Sequence, residues 1–109
     1  MKKSVTIDLD KIRNLRFGTN AIAQSEELLD RKLLDVIKNG ASLRELRVMI
    51  YCGLVWEDPS LTLETVGDLM DDGAEKHGFE YLGEKLGEAI TLAYPDKKKQ
   101  PPQKKKRKN

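Results

Sequence analysis

The stretch Ser42-Leu43-Arg44-Glu45-Leu46-Arg47-Val48-Met49-Ile50-Tyr51-Cys52-Gly53-Leu54 decides the fold class. Its first four residues fit a capping box, in which the Ser42 hydroxyl and the Glu45 carboxylate satisfy each other's backbone amides at a helix start. Leu43, Leu46, Ile50, Gly53 and Leu54 fall on one stripe at helical spacing, and Val48, Cys52 and Val55 on a second. Past its first two turns such a helix is apolar on most of its circumference, so other elements must enclose it. It is the central helix of a helical domain. Asp58-Pro59 ends it, because proline disfavours the helical conformation of the residue before it.

The flanking sequence supplies the enclosing elements. Downstream, Ser60 or Thr62 caps a helix presenting Leu63, Val66, Leu69 and Met70, which stops at Asp71-Asp72-Gly73. A last helix carries Phe79, Leu82, Leu86, Ile90 and Ala93 in register and ends at Pro95; Gly83 and Gly87 lie four apart on it, which suggests a closely packed neighbour. Upstream, Leu33, Leu34, Val36 and Ile37 lead to Asn39-Gly40, a natural helix stop. A helix near 20–30, capped by Thr19 or Asn20, precedes them, and Asp30–Lys32 either interrupts or continues it. Val5, Ile7 and Leu9 alternate with polar residues, and Ile12 and Leu15 follow in a second short run, predicting one strand or a small hairpin.

Charge divides the chain in two. Residues 1–95 hold 12 Lys and Arg against 17 Asp and Glu, whereas 96–109 hold 8 against 1, so the overall net charge of +2 describes neither part. The reading is a single mostly α domain over residues 1–95, with four to five helices and a short N-terminal strand or hairpin. A Lys-rich tail over 96–109 has no apolar residue except Pro101 and Pro102 and is expected to be disordered. One cysteine excludes an internal disulfide. No apolar run reaches the roughly 18 residues that span a bilayer, and no apolar signal core follows Met1-Lys2-Lys3, so a reducing cytoplasm and no membrane are expected.

Residue chemistry points away from catalysis. His77 has no second histidine and no serine or acid at a catalytic spacing, and receives no role. Cys52, on the most apolar helix, reads as an inert core thiol. Asp68 to Gly73 resembles the start of a calcium loop, but with Gly73 as sixth position Met70 and Phe79 fall where oxygen ligands belong, so no metal site is predicted. No phosphate-binding glycine loop is present, and no cofactor is expected. Lys97, Lys98, Lys99, Lys104, Lys105, Lys106, Arg107 and Lys108 can grip polyphosphate, with a salt slope of about −6 to −7 if all eight met phosphates. No aromatic interleaves them and the body is acidic, so the tail serves nucleic-acid binding only in an alternative reading, that of a small helical adaptor, and otherwise solubility.

Taken in order, Leu15-Arg16-Phe17-Gly18-Thr19-Asn20-Ala21, Ser42 to Leu54, Asp58-Pro59-Ser60-Leu61-Thr62-Leu63-Glu64-Thr65-Val66-Gly67 and the closing Leu82 to Pro95 helix resemble the tail assembly chaperones of long-tailed phages and related gene transfer agents. The resemblance covers about residues 5–95. It implies a non-enzymatic protein that binds the helical tape measure protein, keeps it soluble and promotes polymerisation of tail tube subunits around it. It also implies self-association, work in the bacterial host cytoplasm and absence from the finished virion. A frameshift-extended form would recruit the tube protein, and the lysine runs are where adenine-rich slippery codons would lie. No binding residue is fixed by the family pattern; Leu54, Trp56, Tyr81 and Tyr94 are the candidate apolar contacts.

Overall fold

In the computed structural model, which describes residues 3–94, the chain opens with an antiparallel hairpin of β1 (Val5–Asp8) and β2 (Ile12–Leu15), Val5 facing Leu15 and Asp8 facing Ile12. Five helices follow: α1 (Thr19–Leu29), α2 (Leu33–Asn39), α3 (Leu43–Leu54), α4 (Leu63–His77) and α5 (Phe79–Ala93). The mostly helical class and the hairpin are as the sequence indicates. The tail at 96–109 lies outside the described residues. Among the described residues no helix is long and apolar enough to cross a membrane.

The α3 capping box is present: Glu45 N–H donates to the Ser42 hydroxyl at 3.1 Å and Ser42 N–H to the Glu45 carboxylate at 2.9 Å. Val48, Met49, Ile50, Cys52 and Leu54 are buried along this helix, which packs against α1, α4, α5 and β2. Thr62, not Ser60, caps α4, in a second box with Thr65. Asp30 adopts a left-handed conformation (φ 57°) and separates α1 from α2. The cap of α1 is Gly18, with no side-chain bond from Thr19 or Asn20.

Two local expectations are corrected. First, α4 does not stop at Asp71-Asp72-Gly73 but runs to His77, and Gly78 (φ 86°) ends it. Gly73 lies inside the helix because the hairpin crosses there: a Cβ on it would stand 2.7 Å from Leu9 Cδ2 and 3.1 Å from the Asp8 carbonyl oxygen. Second, Gly83 and Gly87 have no close neighbour, since nothing lies within 4 Å of a Cβ built on either. In the hairpin, β2 turns Arg13 and Leu15 inward and leaves Ile12 61% exposed. Alternation forces this once Leu15 and Phe17 enter the core. The buried Arg13 is held by Asp10, at 2.8 and 3.0 Å to its two oxygens, and by Asp58 at 3.3 Å.

Carboxylates fasten the hairpin and the helix ends. Asp8 bonds Lys76 Nζ at 3.0 Å and His77 Nε2 at 2.9 Å, and its backbone N–H donates to the Tyr81 hydroxyl at 2.9 Å. The His77 bond, then the Lys76 bond, holds the Asp8 carboxyl below its usual range. The Ser42 amide, then Arg31, does the same for Glu45; Arg13 does so for Asp10; the Ser60 hydroxyl and amide do so for Asp58. Acids whose folded pKa is lowered stabilise the protein above the unfolded value and lose that contribution as pH falls through the folded one. Urea midpoints should therefore hold from pH 8 to 5 and drop below about pH 4. Asp8→Asn should make that drop shallower.

Candidate functional site

Two of the large apolar side chains left in solvent converge on one place. Leu43, 58% exposed, is the first residue of α3, and Phe79, 47% exposed, is the first residue of α5. Both border a cleft of about 480 Å³ that α3 and α4 frame, with Met70 and Gly67 contributing to its lining. The α4 side carries Glu64, Asp68 and Asp71, whose spacing of four and three places them on one helix face. The α3 side carries Arg44 and Arg47.

Gly67 shapes the floor. A Cβ there would stand 3.5 Å from Arg47 Cδ, so the arginine stem lies over α4 at this point. Arg47 Nε is buried and has no hydrogen-bond partner among the described residues. An unsatisfied buried donor costs about 1–3 kcal/mol. Among the described residues no ion pair joins the acidic side to the arginine side. The cleft therefore combines an apolar floor with two charged walls of opposite sign.

The residues singled out from sequence do not gather here. Leu54 is 1% exposed, in the core behind α3, so it is corrected from a contact candidate to a packing residue. The reason is that α3 buries its last turn under β2, where Arg16 N–H donates to the Gly53 carbonyl at 2.9 Å. Trp56 is partly exposed, but its indole N–H donates to the Asn14 carbonyl at 3.0 Å and the Arg16 guanidinium lies 4.3 Å from its ring centroid. Tyr81 is half-buried, bonded to Asp8 and packed on His77 with ring centroids 4.3 Å apart. Tyr94, at the end of α5, is exposed at its edge; burial, then the Glu26 charge, raises its phenol pKa. These three side chains belong to separate parts of the surface. The basic candidates, Lys97–Lys99 and Lys104–Lys108, lie outside the described residues.

Cys52 is buried, with its thiol pKa raised by desolvation, and His77 is a structural link between α4 and β1. The segment Asp68 to Gly73 is continuous helix and not a loop. Among the described residues no group of three or more His, Cys, Asp or Glu side chains is placed to hold a metal ion.

No protein-family model, no curated protein and no solved structure matches the chain.

Sequence reasoning missed Leu43 and Phe79 because both continue apolar stripes and so read as core. The available signal was position: each directly follows a cap residue, Ser42 or Gly78, where a helix has only begun to enter the core. A second, shallower apolar hollow lies between β1, α2 and α5, with Val5, Ile37, Gly87 and Leu92 around it. Among the described residues Glu88 is its one charged lining residue.

Proposed function

We propose that this chain is a non-enzymatic assembly chaperone of the phage tail type, which covers an apolar helical stripe of a tape measure protein, keeps it soluble and promotes tail tube polymerisation around it. The observation that supports this reading is the cleft bordered by the exposed Leu43 and Phe79. A long apolar helix aggregates unless a groove between helices of a partner receives it, and helix-in-groove recognition needs this kind of apolar floor with polar walls. The order and spacing of the sequence blocks that resemble tail assembly chaperones supply the choice of partner. Self-association, contact with the tube protein through an extended form, action in the host cytoplasm and absence from the virion belong to the same proposal.

The test is co-expression of the full chain with the tape measure protein encoded beside it, followed by sedimentation of the soluble fraction. The proposal expects the tape measure protein to be soluble only in the presence of this chain and to co-migrate with it. A tape measure protein that stays insoluble, together with nucleic acid binding that disappears on deletion of 96–109, would replace it by the nucleic-acid adaptor reading.

A further inference from the structure

The cleft between α3 and α4 is electrostatically two-sided, and that fixes more than the existence of a partner. Glu64, Asp68 and Asp71 run along one wall, Arg44 and Arg47 along the other, and among the described residues none of them is ion-paired. Leu43, Met70 and Phe79 line the same cleft as these charges. An occupant that is apolar alone would leave both walls unmatched.

The chain's own tail does not meet these requirements, because 96–109 carries eight cations and one acid and has no apolar residue beyond two prolines. A helix with leucine-like residues at steps of three and four, basic residues on one flank and acidic residues on the other meets all of them. Turning such a helix end for end exchanges its flanks, so only one direction satisfies both walls.

We propose that the cleft seats one partner helix in a single direction, its Lys or Arg flank against Glu64, Asp68 and Asp71 and its Asp or Glu flank against Arg44 and Arg47. This rests on the helix-binding reading above and adds the direction and the charge pattern of the ligand.

The probe is a synthetic peptide of roughly six helical turns with a leucine stripe, lysines down one flank and glutamates down the other, carrying a nitroxide at its N-terminus. It is titrated into the full-length chain, into an acidic-wall variant (Glu64→Lys, Asp68→Lys and Asp71→Lys together), into an arginine-wall variant (Arg44→Glu and Arg47→Glu together) and into the double reversal that combines them. The altered side chains are exposed apart from the half-buried Arg47, and thermal melts verify that each variant is folded. Reversing either wall alone makes both walls alike in sign and is expected to weaken binding about fivefold. The double reversal is expected to restore the affinity, with the nitroxide broadening NMR signals at the opposite end of the cleft. Equal affinity for all four proteins would overturn the charge-set direction while leaving helix binding intact. No binding to the unaltered chain would overturn the helix-binding reading as well, and a concentration-dependent dimer that the peptide cannot displace would assign the cleft to a second copy of the chain instead.

Discussion

Replacing Leu43 and Phe79 together by aspartate is expected to leave the chain folded and to abolish its ability to keep the tape measure protein in solution. Both side chains are exposed, so little apolar burial is lost. Each also opens a helix, α3 or α5, and a carboxylate in a first helical turn is favoured by the helix dipole. The binding side of the balance is different. Central apolar anchors contribute about 2 kcal/mol or more each when an interface forms. Removing two of them, with charges placed on the floor, should lower affinity by at least about a thousandfold. The check pairs a thermal melt of the double variant, expected to match the parent within a few degrees, with sedimentation of co-expressed tape measure protein, expected to move wholly to the pellet. A variant that melts normally and still solubilises the tape measure protein would remove the cleft from the account.

The second large effect lies in the core. Gly73→Val should destabilise the protein by about 3 kcal/mol, within the range for overpacking a core and a large fraction of the roughly 5–15 kcal/mol by which native domains are generally stable. Its Cβ would stand 2.7 Å from Leu9 Cδ2, 3.1 Å from the Asp8 carbonyl oxygen and 3.1 Å from Leu82 Cδ2. Leu9 and Leu82 are fully buried and the carbonyl belongs to the hairpin backbone, so relief requires β1 to lift away from α4 and α5. Gly83→Ala should do the reverse. Nothing lies within 4 Å of its added Cβ, and exchanging a helix-interior glycine for alanine gains about 0.5–1 kcal/mol. Equilibrium urea unfolding of the two variants, side by side, should shift the midpoint in opposite directions.

This pair also shows where the sequence was legible. Helical spacing and the capping box at Ser42 and Glu45 located α3 and its central place, and Asn39-Gly40 marked a break that the structure keeps, whereas α3 ends at Leu54, before Asp58-Pro59 is reached. Glycine was not legible, because its meaning depends on what crosses it. Gly73, read as a helix stop, is a helix interior cleared for Leu9, whereas Gly83 and Gly87, read as a packing seam, face open space. The same dependence on tertiary context explains β2: Ile12 is apolar and Arg13 charged, yet register with Leu15 turns the arginine inward, where Asp10 and Asp58 receive it. The cleft was hidden for a related reason. Stripe counting assigns every apolar residue in register to the core, and only the placement of the first turns of α3 and α5 beyond the packed layer reveals Leu43 and Phe79 as surface.

Charge reading had the opposite strength. The acidic body was evident from composition alone, but the sorting of acids onto α4 and arginines onto α3 around one apolar floor needs the packing of the two helices.

Hydroxyl-radical footprinting of the full chain, free and in complex with the tape measure protein, tests the central claim most directly, because it reads the exposure of single side chains. Phe79, Trp56 and Tyr94 are all partly exposed in the free chain and should all be oxidised. If the cleft between α3 and α4 is the binding site, Phe79 and Leu43 become protected in the complex while Trp56 and Tyr94 keep their rates. Protection of Trp56 or Tyr94 with Phe79 unchanged would contradict the account and place the partner on another face.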